Sequence, residues 1–286
     1  MIIVDLNQVM IANLMAQIGN HTNLAIKEDL FRHMVLNALR SYRQMYPNGG
    51  ELIVAADEKK SWRKQVFPPY KGNRKKAREE SELDWNQIFT ILNKVRDELK
   101  TYSPYKVLVV PGAEADDIIG TLCLEHGKLL QQGEPIYILS GDKDFVQLQI
   151  YSNVQQFDPV RKKQIKTTDP YKHLREHILK GDRGDGIPNI MSPDECLIKG
   201  ERQKSLPSKR IDYLTTIADL SRVLPPEQYR NFQRNEQLID LHMTPPDIIA
   251  AVIEQYNNHP PKSPEIFLEY LREHNLKTLE ENISEF

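Results

Sequence analysis

Only two cysteines, Cys123 and Cys196, occur in the 286 residues, far apart and outside any metal or redox motif. A disulfide scaffold is therefore excluded, and nothing points to a zinc site. No apolar run approaches the ~18 residues that a membrane span needs, and Asp5 interrupts the one apolar start, so neither a spanning segment nor a secretory signal is expected. Repeats with periods of about 20 to 50 residues and low-complexity tracts are missing as well, which removes solenoids and fibrous arrays. The expectation is a soluble cytoplasmic chain, 40% hydrophobic and 27% charged, long enough for one large α/β domain with an appendage or for two small domains.

Charge is informative once it is divided along the chain. Lys and Arg total 38 against 40 Asp and Glu, yet Lys59 to Arg78 holds nine basic residues and no acid. Trp62, Phe67 and Tyr70 are interleaved with them. Cations that displace counterions from phosphates, with rings on which bases stack, are what a polyanion-binding element needs. By composition alone, a solvated basic face would look the same.

Apolar runs at Ile2–Val4, Leu52–Ala56, Lys106–Val110 and Ile136–Leu139 read as strands, with a fifth at Val154–Phe157. Helical spacing over Lys27–Tyr46, Leu83–Leu99 and Glu114–Gln131 separates them. Continuous rather than alternating apolar runs mean strands covered on both faces, as in a parallel, doubly wound α/β sheet. From Tyr171 onward the chain is polar, mostly helical and interrupted at Pro188, Pro193, Pro207, Pro225-Pro226, Pro245-Pro246 and Pro260-Pro261. The expected division is an α/β core over residues 1–165 and a helical region over 166–286.

Acids stand at the carboxyl ends of the strands: Asp5 after the first, Asp57 after the second, Glu114, Asp116 and Asp117 after the third, Asp142 and Asp144 after the fourth. In an open parallel sheet these ends share one edge, where ligands bind, so acids distant in sequence converge. Asp182 and Asp185, opening the helical region, reach the same rim if that region packs against it. Singly, each acid has an ordinary explanation as a helix cap or turn residue. Jointly, nine carboxylates at one rim require cations, since two unit charges ~4 Å apart repel by roughly 4 kcal/mol even at an effective dielectric of 20. All-oxygen ligation points to Mg²⁺ or Mn²⁺, and so many acids point to two ions, the arrangement suited to phosphodiester hydrolysis.

Glu114-Ala115-Asp116-Asp117, Ser140-Gly141-Asp142-Lys143-Asp144-Phe145, Gly181-Asp182-Arg183-Gly184-Asp185-Gly186-Ile187-Pro188-Asn189 and Pro69-Tyr70-Lys71-Gly72-Asn73-Arg74 stand in an order and spacing that resembles the flap endonuclease (structure-specific 5′-nuclease) family. The resemblance is strongest to its phage ribonuclease H branch and runs through Lys76-Ala77-Arg78-Glu79-Glu80-Ser81 to Ile283-Ser284-Glu285-Phe286. It implies a PIN-like parallel-sheet nuclease core with a basic arch at about residues 59–90 and a helical C-terminal DNA-binding region. It further implies a Mg²⁺-dependent 5′-to-3′ exonuclease and flap endonuclease with ribonuclease H activity. Such an enzyme removes RNA primers and 5′ flaps during DNA replication, with two ions for which Mn²⁺ can substitute. Carried over, Asp5, Asp57, Glu114 and Asp116 surround the first ion, and Asp116, Asp142, Asp144, Asp182 and Asp185 the second. Lys71 and Arg74, with Asp116 and Asp142, stand at the reaction, and Arg63, Lys64, Tyr70, Lys75 and Lys76 help hold the strand.

The implied partners are RNA–DNA hybrids, forked and flapped DNA and a single-stranded DNA-binding protein, with no membrane, in a monomer in the cytoplasm of a bacterial host. The family's duplex grip usually continues from Gly-Ile-Pro into a second glycine-rich turn, whereas Asn189-Ile190-Met191-Ser192-Pro193 follows here, so a potassium-dependent grip is not expected. The chain starts directly at its first strand, which leaves sliding-clamp docking through an N-terminal segment without support. The competing readings are a catalytically inactive DNA-structure-binding accessory protein, against which every acidic position is filled, and an Asp-nucleophile phosphotransferase, against which Asn7 stands where a second Asp is required.

Overall fold

A computed structural model describes residues 1–18, 27–128, 133–260 and 262–286, with only the backbone of 17, 76 and 77. The apolar runs pair into one sheet. β1 (Ile2–Asp5), β2 (Leu52–Ala55), β3 (Lys106–Leu108), β4 (Ile136–Leu139) and β5 (Val154–Asp158) are parallel, and a short β6 (Lys163–Ile165) is antiparallel to β5. Their order is β3-β2-β1-β4-β5-β6, with Val4 paired to Val54 on one side and Leu139 on the other. Strand order thus reverses between β1 and β4, and the crevice outside the carboxyl ends of those two strands is where such sheets bind ligands.

The first half adds α1 (Leu6–Ile18), α2 (Glu28–Met45), α3 (Arg63–Val66), α4 (Gly72–Glu79), α5 (Trp85–Tyr102) and α6 (Ala115–His126). The second half adds α7 (Pro170–Lys180), α8 (Ser208–Thr215), α9 (Pro226–Ile239), α10 (Pro246–Asn257), α11 (Pro264–Glu273) and α12 (Lys277–Glu281). Successive strand residues face opposite layers. Ile2 and Val4 pack with Leu14, Leu36, Val95 and Leu271, whereas Ile3 and Ile53 pack with Ile118, Leu122 and Val252. A third core joins Phe67 and Tyr70 to Leu179 of α7, Leu214 of α8 and Phe232 of α9. The helical region is therefore split: α7–α9 pack on the basic segment, while α10–α12 return to the sheet.

Several prolines that interrupt the second half are helix starts. Pro226 and Pro246 stand in the first turns of α9 and α10, where the missing N–H has no intrahelical partner to lose. Pro261, and residues 129–131 of the helix expected to run to Gln131, lie outside the described residues. Two elements escape the apolar pattern. Helix α1 carries Val9, Met10, Ile11, Leu14 and Met15 around much of its circumference, and β6 is an edge strand with Lys163 and Gln164 exposed.

Candidate metal centre

Each of the four strands β1–β4 delivers acid to the carboxyl edge. Asp5 ends β1, Asp57 follows β2, Glu114 and Asp116 follow the Pro111-Gly112 turn after β3, and Asp142 and Asp144 follow β4. Asp182 and Asp185 arrive from the loop after α7. That loop comes close because Gly186, at φ +72°, has no side chain: a Cβ there would lie 3.1 Å from the Pro69 carbonyl and 3.2 Å from Asn73 Oδ1. The Lys71 N–H donates to the Asp185 carbonyl at 2.7 Å and Asn73 Nδ2 donates to the Arg183 carbonyl at 2.7 Å, fastening the loop to the basic segment.

Neighbouring polar groups aim the carboxylates. Asp5 Oδ1 accepts from the Gln8 N–H and Oδ2 from Ser140 Oγ, both at 3.1 Å, while Gln8 Oε1 accepts from the Gly141 N–H at 2.6 Å. Asp57 Oδ1 accepts from the Ala115 N–H at 2.7 Å, at the start of α6, and Oδ2 accepts from the Asn7 amide. Asp142 Oδ1 accepts from the Asp144 N–H at 2.9 Å. Asn7, Gln8 and Ser140 belong to this machinery and were not anticipated from the sequence; their signal is their place within three residues of an acid that ends or follows a strand.

Seven of these eight acids fall into two classes. Glu114, Asp182 and Asp185 have protein counter-charges. Lys71 Nζ lies 2.5 Å from Glu114 Oε1 and 3.7 Å from Asp185 Oδ2, Arg74 pairs with Asp185, and Lys143 Nζ lies 2.9 Å from Asp182 Oδ2. Burial works to raise the Glu114 carboxyl, but Lys71 and Arg63 hold it below its ordinary value; likewise burial is outweighed at Asp182 by His177 and Lys143. Asp5, Asp57, Asp116 and Asp144 are driven the other way. Burial, backed by the charges of Asp57 and Asp142, pushes Asp5 from 3.8 to about 7. Burial and Asp142 push Asp144 to about 7 against the pull of His177, and burial with Asp142 lifts Asp116 well above its ordinary value. Asp57 is raised by burial despite Lys71. Asp144 Oδ1 is buried and accepts no hydrogen bond from any of the described residues. Four under-compensated acids, one with an orphaned oxygen, form a donor set that fits hard divalent cations.

His177 was missed by the sequence reading. It lies in the last turn of α7, 7% exposed, with Nδ1 3.3 Å from Asp144 Oδ1 and Nε2 3.3 Å from Asp182 Oδ2. One ligand atom from each of the three residues falls within 4.8 Å of the others. The available signal is its position five residues before Asp182, in the helix that leads into the acidic loop.

Part of the basic segment faces inward, which corrects three expectations. Arg63 is 2% exposed: Nε donates to the Leu238 carbonyl at 2.9 Å, and Nη1 lies 2.9 Å from Asp117 and 3.3 Å from Glu114, so it has no donors for a nucleic-acid strand. The rings of Trp62, Phe67 and Tyr70 are buried and cannot stack with bases; the Tyr70 hydroxyl donates to the Glu114 and Asp185 carboxylates at 2.7 and 3.0 Å. Asp117, counted among the nine acids at the rim but not among the ion ligands, is turned into the interior: it is fully buried and caps α6 while accepting from Trp62, Arg63 and Thr244. Lys64 and Lys75 are exposed, and the side chain of Lys76 lies outside those described. After Gly-Ile-Pro the chain forms turns, with Asn189 Oδ1 accepting from the Met191 N–H and Ser192 Oγ. A cavity of about 510 Å³ lined by Asn73, Arg183, Arg202 and Gln203 opens there beside the Asp185 loop.

Residues 3–177 match the 5′-3′ exonuclease N-terminal resolvase-like domain, and residues 170–286 match the T4 RNase H C-terminal domain. The chain is 30% identical to Ribonuclease H of Enterobacteria phage T4 over 99% of its own length and 95% of that protein's. It is 31% identical to a 5′-3′ exonuclease of Buchnera aphidicola, over 54% of each chain. Among solved structures, the bacteriophage T5 flap endonuclease, in a pseudo-enzyme–product complex with DNA and metal ions, superposes with a TM-score of 0.62 at 19% identity, covering 90% of this chain and 97% of that one. That last likeness, at under 25% identity, is one of fold alone. With both domain matches in register along the chain and the acids converging where the fold places its ligands, the protein belongs to the 5′-3′ exonuclease family of structure-specific nucleases, with a C-terminal region of the phage ribonuclease H type.

Proposed function

We propose that this chain is a 5′-to-3′ exonuclease and flap endonuclease that removes RNA primers and 5′ flaps during DNA replication. It would use two Mg²⁺ ions, replaceable by Mn²⁺. One observation supports this reading above the rest: Asp5, Asp57, Asp116 and Asp144 are buried acids whose pKa values are raised, beside Lys71 and Arg74, which pair with Glu114 and Asp185 of the same rim. The ions would be held by Asp5, Asp57, Glu114 and Asp116 on one side and by Asp116, Asp142, Asp144, Asp182 and Asp185 on the other, some through water. When bound they supply an ionised water at neutral pH and neutralise charge developing on the phosphate and the leaving oxygen.

The chain's own residues do the positioning. Burial opposes the charge on Lys71, but Asp185 and Glu114 hold its proton more tightly than in a free lysine, so it acts as a fixed cation rather than a base. A scissile phosphate competes with Glu114 and Asp185 for Lys71 and Arg74, and Arg74, 43% exposed, is the one that reaches outward. Phosphate-directed cations position a strand without reading its bases, so recognition follows structure and binding weakens steeply with salt. RNA–DNA hybrids and forked or flapped DNA are the corresponding substrates. We further place the protein as a monomer in the host cytoplasm, with a single-stranded DNA-binding protein meeting the helical region.

The test is cleavage of a 5′-labelled flap and of an RNA-primed nicked duplex, with Mg²⁺ and with chelator. Metal-dependent release of short 5′ products, abolished by Asp142→Asn in a protein with an unchanged circular dichroism spectrum, is the expected result. Binding without cleavage in both Mg²⁺ and Mn²⁺ would replace this reading with that of an accessory protein.

A further inference from the structure

His177 lies between two acids, each ring nitrogen 3.3 Å from a carboxylate oxygen, and of these two contacts only the one from Nε2 has the geometry of a hydrogen bond. A neutral imidazole carries a single N–H. With that proton on Nε2 it donates to Asp182 Oδ2 at 3.3 Å, and Nδ1 then presents a bare lone pair. Facing it at 3.3 Å is Asp144 Oδ1, buried and without a hydrogen-bond donor among the described residues. Two lone-pair atoms held this far apart match adjacent donors of one cation, which with bonds of about 2.1 Å are roughly 3 Å from each other.

Asp182, among the residues placed around the second ion above, would meet that ion only through water. Its Oδ1 accepts from the Gly184 and Asp185 N–H groups at 2.7 and 3.2 Å, and its Oδ2 is shared between Lys143 Nζ and His177. With both oxygens engaged, it stands behind the ring as the carboxylate that fixes the tautomer and orientation of a ligating imidazole. His177 is itself held by burial, at 7% exposure, in the last turn of α7.

The geometry points to His177 as a nitrogen ligand of the second metal site, binding through Nδ1 beside Asp144 while Asp182 orients the ring from behind. This rests on the metal-dependent reading above. The site that contains Asp144 is then a mixed nitrogen and oxygen set, whereas the site around Asp5 and Asp57 is oxygen only. A nitrogen donor favours Mn²⁺ and Co²⁺ over Mg²⁺, which binds oxygen and keeps its waters. The two sites therefore differ in metal preference.

The test uses the full-length protein loaded with Mn²⁺ alone. Pulsed electron paramagnetic resonance should show ¹⁴N modulation from a directly coordinated nitrogen in the wild type. That modulation should be lost in His177→Gln, which still binds Mn²⁺ at the remaining acids. Calorimetric titration of the same variant should show one Mn²⁺ site weakened by about tenfold or more, and the Mg²⁺ isotherm changed less. Bound Mn²⁺ without nitrogen modulation in the wild type overturns the inference whatever the variant does, as does modulation that survives in His177→Gln. If flap cleavage remains metal-dependent in that case, the proposed activity stands and only the nitrogen ligand falls. A wild-type protein that binds no Mn²⁺ and cleaves nothing removes both.

Discussion

Replacing Asp5 by Asn should make the metal-free protein more stable above neutral pH while removing its response to divalent ions. Burial and the charges of Asp57 and Asp142 raise the folded-state carboxyl from 3.8 to about 7. At 1.36 kcal/mol per pH unit this corresponds to about 4 kcal/mol of destabilisation borne by the native state when the group is ionised. The sign follows from the direction: a carboxyl raised on folding destabilises the native state at pH above both values. The penalty shrinks as pH falls through about 7 and vanishes below the unfolded value, 3.8, where the group is protonated in both states. Asn removes the charge but keeps only one acceptor of the two that receive the Gln8 N–H and Ser140 Oγ, a loss of about 1 kcal/mol. A net gain of about 2 to 3 kcal/mol at about pH 8 is expected, reversing to a slight loss near pH 4. Urea unfolding in chelator at several pH values measures it. Adding Mg²⁺ at about 100 times its dissociation constant should stabilise the wild type by about 2.7 kcal/mol and the variant by much less. A variant less stable than the wild type at pH 8, or a difference that does not change with pH, would refute the assignment of Asp5 as an under-compensated buried charge.

Arg63→Met should destabilise by about 3 to 5 kcal/mol in denaturant unfolding, because it leaves Asp117, fully buried, without its cation; adding Asp117→Asn should recover part of the loss, and no recovery would mean that the arginine acts by packing alone. Lys71→Ala and Arg74→Ala should lower kcat on a flap substrate far more than they weaken duplex binding, and equal losses in both would make the segment a general anchor. Gly186→Ala should cost about 1 to 3 kcal/mol, from a left-handed backbone and the nearby Pro69 carbonyl, and should lower kcat by shifting Asp185; unchanged stability would show that the loop relaxes freely.

The sheet was legible because burial on both faces imposes a continuous apolar signal, and Ile2–Val4, Leu52–Ala55 and Ile136–Leu139 carry it without interruption. The acids at its carboxyl edge were legible for a topological reason: parallel strands must end on the same side, so position after a strand already implies a common location. Inward and outward faces of the basic segment were not legible, since a charged side chain reads the same in sequence whichever way it turns. Trp62, Phe67 and Tyr70 held the hint, because three rings in nine residues need a core as much as they offer one to bases. His177 was hidden for the opposite reason, one of two histidines in a polar helix, with partners that lie outside that helix.

The excess of acid at one rim is met in part by cations of the chain itself. The basic segment supplies three counter-charges, the buried Arg63 to Asp117 and Glu114, Lys71 to Glu114, and the outward-reaching Arg74 to Asp185. Those pairings hold Glu114 below its ordinary value, while Asp5, Asp57, Asp116 and Asp144 stay raised. Nine cations in a run therefore do not all face a polyanion. The buried ones complete the acidic rim from within, and only those left exposed, such as Lys64 and Lys75, are free to follow a phosphate backbone toward it.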